Sequence, residues 1–166
     1  KIVTLVGIRR AGKTYLFYYL ARKLREQFPR ENIVHINFED DRIFPLALTD
    51  MESLIQAYYE LYPHKKDEIV YFLFDEIQNV PYWEKFVRRI YDTEKCRIYL
   101  SGSSSKLLSK EIATSLRGRT LTYEIFPLGF REFLLFKGVK YIPYSSKSLA
   151  EVKNFFNEYL WRGGFP

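Results

Sequence analysis

Cysteine, methionine and histidine are nearly absent from this 166-residue chain, which has one Cys, one Met and two His. Cys96 has no second cysteine to pair with, so an internal disulfide is excluded, and no neighbouring ligand completes a thiolate metal site. His35 falls in an expected strand and His64 in an expected loop, each far from another ligand, so both read as packed or solvated rather than zinc-binding. Long apolar runs are also missing. No stretch approaches the roughly 20 residues that a membrane-spanning helix needs, and no signal peptide is recognisable. A reducing cytoplasm is the expected setting, with no membrane partner.

What remains is a globular mixture, 47% hydrophobic and 28% charged, long enough for one domain with a small appendage and a sizeable core. Tyr and Phe are abundant, at 14 each, and are expected mainly in cores and interfaces. The net charge of +6 permits an anionic partner such as DNA or RNA. However, the basic clusters Arg22-Lys23-Arg25, Lys65-Lys66 and Arg88-Arg89 sit beside acidic residues and read as solvated faces. The chain opens at Lys1 directly on an apolar strand and stops at Gly163-Gly164-Phe165-Pro166 after a helical pattern, so it is expected to be a piece of something longer.

Apolar runs at Ile2–Gly7 and Ile69–Phe74 and an alternating segment at Asn32–Glu39 predict strands, and Arg97–Leu100 and Thr120–Ile125 read as two more. Between them, helical spacing predicts helices from Lys13 towards Phe28, at Pro45–Leu61, Trp83–Tyr91 and Lys106–Ser115. This alternation predicts an α/β fold with a mostly parallel sheet covered on both faces, and such sheets hold ligands at the carboxyl ends of their strands. Beyond Phe126-Pro127-Leu128 the spacing predicts helices at Phe130–Phe136 and Leu149–Leu160. Residues 1–128 are thus expected as the core, and 129–166 as a helical extension or the beginning of a lid or second domain.

The segment Gly7-Ile8-Arg9-Arg10-Ala11-Gly12-Lys13-Thr14 matches the phosphate-loop pattern G-x-x-x-x-G-K-[ST] between an expected strand and an expected helix. Glycines let successive backbone N–H groups converge on phosphate oxygens, and the helix that starts near Lys13 adds its N-terminal dipole. Lys13 is expected to reach the β- and γ-phosphates and Thr14 to offer its hydroxyl to Mg2+. The expected nucleotide-binding set is Gly7, Arg9, Arg10, Ala11, Gly12, Lys13, Thr14 and Tyr15. Arg9 and Arg10 occupy variable positions and either touch phosphate, pair with an acidic residue or point to solvent.

Tyr71-Phe72-Leu73-Phe74-Asp75-Glu76 has the form of a Walker B strand, apolar until two carboxylates emerge at its end. Asp75 is expected to bind Mg2+ directly or through water, and Glu76 to polarise the attacking water. The turn Ser101–Ser105 follows the next strand, where Ser103 or Ser104 is expected to orient water or detect hydrolysis. A flexible turn with a helix cap accounts for the same serines. Arg117 or Arg119, with Arg119 preferred, is the candidate to stabilise phosphoryl charge, across a subunit boundary if the chain is a homo-oligomer; a basic surface turn is the alternative.

Taken together, these segments resemble the AAA-like P-loop ATPases of archaea and bacteria, in the group that joins such a domain to a C-terminal domain of unknown function. The match rests on Gly7–Thr14, Phe74-Asp75-Glu76-Ile77-Gln78-Asn79-Val80-Pro81-Tyr82-Trp83, Ser101–Ser104 with Leu116–Arg119, Pro127–Phe133 and the terminal Gly163–Pro166. The resemblance implies a P-loop NTPase three-layer sandwich with strand order 5-1-4-3-2, which brings Ser103 between Lys13 and Asp75. It implies ATP rather than GTP as nucleotide, since no Asn-Lys-x-Asp motif is present. The upstream segment that often helps hold adenine is missing before Lys1, and no full helical lid with a second sensor arginine is evident.

The leading expectation is therefore an Mg2+-dependent ATPase, with Glu76, Lys13, Ser103 and Arg119 as catalytic residues, driving a switch in an attached domain or protein partner. A nucleic-acid-associated motor or regulator is a rival, although no helix-turn-helix, zinc finger or RNA-binding aromatic signature supports it. A signalling or defence NTPase that gates a protein interface is a third.

Overall fold

The computed structural model describes residues 1–43, 45–103, 116, 118–139 and 142–166. Two compact units are formed: one from Lys1–Gly7 with Lys13–Glu124, the other from Ile8–Gly12 with Ile125–Pro166. The expected helix Lys106–Ser115, together with Ser104 and Arg117, lies outside the described residues.

In chain order the first unit contains β1 (Ile2–Gly7), α1 (Lys13–Arg25), β2 (Ile33–Asn37), α2 (Leu48–Leu61), β3 (Val70–Asp75), α3 (Trp83–Thr93), β4 (Cys96–Ser103) and β5 (Thr120–Ile125). The strands form one sheet in the order β2-β3-β4-β1-β5, the order implied by the sequence resemblance. Pairs β2–β3, β3–β4 and β4–β1 are parallel. β3 lies inside the sheet and is buried along its whole length, which is why Val70-Tyr71-Phe72-Leu73-Phe74 is uninterruptedly apolar.

Because side chains alternate across a strand, Phe72 and Phe74 share one face of β3 and Tyr71, Leu73 and Asp75 the other. The first face is the larger core. Phe72 and Phe74 stack on each other at 5.6 Å, and Phe74 meets Phe86 of α3 at 6.2 Å and Phe38 at 5.7 Å. Met51, Ile55 and Tyr59 of α2 and Val87 and Ile90 of α3 complete it. The opposite face is covered by α1 through buried Phe17 and Ala21, and by Phe28, whose ring lies 4.8 Å from that of Tyr71. Helices on both faces of the sheet make the three layers that the alternating pattern predicts.

On α1 the inward residues are Phe17 and Ala21, one turn apart, while Leu16 is exposed. On α2 Tyr59 is buried; Tyr58 is half-buried and donates its hydroxyl to Glu31 O at 2.6 Å. β5 is an edge strand with Leu121 and Tyr123 exposed, so it lacks the two-sided cover of β3. β4 continues through Ser103, so the serines at 101 and 103 stand on a strand rather than in a turn.

The second unit is organised by α4 (Phe130–Phe136) and α5 (Ser146–Arg162). Phe130 and Phe133 of α4 meet Tyr159 of α5, each at 5.4 Å, while Phe130 also reaches Phe156 at 5.1 Å. Past α5 the chain returns to Leu128, whose N–H donates to Gly164 O at 2.6 Å while its carbonyl accepts the Tyr159 hydroxyl at 2.9 Å. Gly164 is required there, since a Cβ would collide with Leu128 O. Pro166 then lies against Gly12, where an added Cβ would sit 3.6 Å from Pro166 Cγ.

Cys96 opens β4 half-buried, its thiol donating weakly to Ile90 O at 3.5 Å. Burial, reinforced by the nearby Glu94 carboxylate, pushes the thiol up to about 12. Because the thiolate is the reactive form, native protein at pH 8 should react with a thiol reagent only as it unfolds. Rapid labelling of the folded protein would contradict this placement.

Candidate functional site

The first unit brings a lysine, two carboxylates and a serine together at the carboxyl ends of β1, β3 and β4. β1 ends at Gly7, which pairs with Ser103 of β4. Asp75 ends β3 and is completely buried. A buried carboxylate is costly unless hydrogen bonds compensate it. The Ser101 hydroxyl supplies one, donating to Asp75 Oδ1, and its oxygen in turn accepts the Glu76 N–H at 3.2 Å. Ser101 therefore ties both acidic residues to the neighbouring strand.

Glu76 adopts the left-handed conformation, φ 53° and ψ 44°, which costs a non-glycine residue about 1–2 kcal/mol. Its surroundings hold it there. Ser101 takes its N–H, its carbonyl accepts Asn79 N–H at 3.1 Å, and Ile77, the first residue of a short 3-10 turn, is fully buried. The Glu76 carboxylate is gripped at both oxygens: Gln78 Nε2 donates to Oε2 at 2.6 Å, and Lys13 Nζ lies 3.6 Å from Oε1.

Lys13 opens α1 and is only 4% exposed. Its ammonium donates to Gly7 O at 3.1 Å, folding the side chain back over the start of the loop. Thr14 follows it, half-buried, while Tyr15 is 78% exposed. In the loop itself Ala11 N–H donates to Ile8 O at 3.3 Å, and Arg10 and Gly12 both have left-handed φ, 64° and 97°. Left-handed residues turn successive N–H groups to one side of the chain, the backbone basis of an anion nest. Ala11 is buried and Arg9 and Arg10 are exposed.

Among the described residues, Asp75 Oδ2 is buried without a hydrogen-bond partner. Facing it at 4.0 Å is Nε2 of His35 on β2, also buried and unpartnered. Burial lowers the His35 pKa, with the Asp75 charge opposing more weakly, which favours the neutral imidazole.

Of the remaining expected residues, Ser103 stands beside Gly7 at the end of β4. Arg119 is engaged within its own unit: it donates to Asp92 Oδ2 at 2.6 Å and lies 5.9 Å over the Tyr91 ring. Sequence reasoning missed Ser101, Gln78 and His35. Ser101 was within reach, because a strand that extends even one residue past Leu100, the partner of Phe74, sets Ser101 beside Asp75. Gln78 stood in the Asp-Glu-Ile-Gln-Asn segment, but a left-handed Glu76 has no sequence signature of its own.

A five-stranded sheet of order 2-3-4-1-5, with the loop after β1 and two acids at the end of β3, defines a P-loop NTPase fold. The chain belongs to the AAA domain family, whose model matches residues 1–134. It is 44% identical over its whole length to an uncharacterized protein of Methanocaldococcus jannaschii and 38% identical, over 99% of the chain, to one of Haemophilus influenzae. It spans 36% and 39% of the lengths of those two proteins. The structure of C. elegans PCH-2 matches 87% of this chain, and 42% of its own, at a TM-score of 0.51 and 16% identity, a likeness of fold. No helix among the described residues is long and apolar enough to cross a membrane.

The arrangement around Ser101 yields a direct test. Ser101→Ala strips Asp75 of its hydroxyl donor and should lower stability by about 1–3 kcal/mol, read from the denaturant midpoint. Ser103→Ala, which removes no bond to either carboxylate, should change it by less than about 0.5 kcal/mol. Equal effects would contradict the assignment of Ser101 as the link between strands.

Proposed function

We propose that this chain is an Mg2+-dependent ATP-hydrolysing module that drives a conformational switch in an attached domain or protein partner. The observation that carries this reading is Lys13. Its buried ammonium bridges the Gly7 carbonyl and the Glu76 carboxylate, so one side chain links the phosphate-loop segment to the acidic pair.

The roles follow from the chemistry of each group. The Gly7–Thr14 segment holds phosphate through backbone N–H groups and the start of α1, with Lys13 as point charge. In the absence of nucleotide, Glu76 and Gly7 O keep that charge compensated; a phosphate chain offers stronger acceptors and draws the ammonium away. Glu76, still held by Gln78, is then free to polarise a water for in-line attack on the γ-phosphorus. As the water oxygen bonds to that phosphorus its proton passes to the Glu76 carboxylate, the bond to the bridging oxygen of ADP breaks, and ADP and phosphate leave while Glu76 returns the proton to solvent. Ser103, which pairs with Gly7, is assigned the role of orienting the attacking water or the γ-phosphate. Arg119 acts as a finger on a neighbouring subunit only if its ion pair with Asp92 opens.

The donor set fits Mg2+. Thr14 supplies a hydroxyl and Asp75 a buried carboxylate oxygen without a partner, the hard oxygen ligands that this ion prefers, directly or through its waters. When bound, the ion neutralises charge that develops on the phosphate oxygens.

Two variants separate binding from chemistry. Glu76→Gln should retain ATP affinity while turnover falls by at least about a hundredfold, the scale of a lost general base. Lys13→Ala should weaken nucleotide binding itself, measured by titration calorimetry. Wild-type turnover in Glu76→Gln would overturn the water-activating role of Glu76.

A further inference from the structure

We propose that His35 is a positioning residue for the metal-binding carboxylate of Asp75, an inference that rests on the Mg2+-dependent reading above. Two buried polar atoms without hydrogen-bond partners, His35 Nε2 and Asp75 Oδ2, face each other at 4.0 Å. Buried polar groups are almost always satisfied, so two complementary ones left open side by side mark a bond that forms in another state of the site. A movement of about 1 Å brings them to hydrogen-bonding distance.

The sheet aligns the pair. β2 runs parallel to β3 with Asn37 opposite Asp75 and His35 opposite Leu73, so His35 shares the face of Asp75, two residues back along the neighbouring strand. Its ring is held edge-on by two rings of α1, Tyr18 at 5.4 Å and Phe17 at 6.1 Å. Phe17 is fully buried and Tyr18 half exposed, so the imidazole is fixed from the core side and covered from the solvent side. Both rings lie within one turn of Thr14, the other expected Mg2+ ligand, so the helix that carries the hydroxyl ligand also fixes the orientation of the carboxylate ligand.

Ser101 occupies Oδ1 of Asp75. With the proton on Nε2, His35 donates to Oδ2, and the carboxylate is held from both sides. An ionised carboxylate has about four lone-pair sites, so two donors leave acceptors for the metal or its water. Outer partners of this kind orient a ligand and hold it in readiness, and their removal typically weakens metal binding by about 10- to 100-fold.

The test is metal affinity rather than turnover. Mn2+ is titrated into the protein saturated with ADP and followed by electron paramagnetic resonance. His35→Ala should raise the Mn2+ dissociation constant by at least about tenfold, with ADP affinity in the absence of metal unchanged. His35→Gln, which keeps a side-chain N–H donor, should restore most of the loss. Tyr18→Leu leaves every donor to Asp75 in place but loosens the ring, and should weaken Mn2+ by a smaller factor, which keeps the test open should His35→Ala fail to fold. Wild-type metal affinity in His35→Ala or in Tyr18→Leu, or equal weakening in the alanine and glutamine variants, would overturn the proposal. If the wild-type ADP complex binds no Mn2+, the metal-dependent reading fails and this inference fails with it.

Discussion

A carboxylate with no solvent exposure terminates the most buried strand of the sheet, and the polar structure around it answers the cost of putting it there. Asp75 sits where five residues of apolar β3 deliver it, so its burial follows from the same packing that stabilises the core. An isolated charge in that position would be strongly destabilising. Ser101 answers at one oxygen, and through the same hydroxyl it captures the N–H of Glu76. That capture helps hold Glu76 in a left-handed conformation, which in turn places its carboxylate between Gln78 and Lys13.

Lys13 is the other half of this arrangement. A buried ammonium needs acceptors as much as a buried carboxylate needs donors, and the Gly7 carbonyl and the Glu76 carboxylate are among those of Lys13. On the proposed function, a phosphate ligand competes with these acceptors for the ammonium. The Glu76–Lys13 contact therefore links occupancy of the loop to the freedom of the residue proposed to activate water.

Much of this was legible before any coordinates. Ile2–Gly7 coincides with β1 because a buried parallel strand writes itself as an apolar run, Thr120–Ile125 coincides with the exposed edge strand β5, and the strand order implied by the family resemblance is the observed one. The loop and the acidic pair were legible because their chemistry needs particular residues at fixed spacing. Choosing among the serines was harder: it depended on how far β4 continues, and Ser-Gly-Ser reads as a turn until the pairing of Ser101 with Leu5 and Ser103 with Gly7 is known. The meeting of His35 with Asp75 belongs to inter-strand register, which no local pattern encodes.

The central claim is that Lys13 changes partners when nucleotide arrives. Its most direct measurement is a crystal structure of the chain with Mg2+ and a non-hydrolysable ATP analogue. The account predicts Lys13 Nζ within hydrogen-bond distance of a phosphate oxygen and withdrawn from both Glu76 Oε1 and Gly7 O. A nucleotide-bound structure in which Lys13 remains on Gly7 O and Glu76 would contradict it.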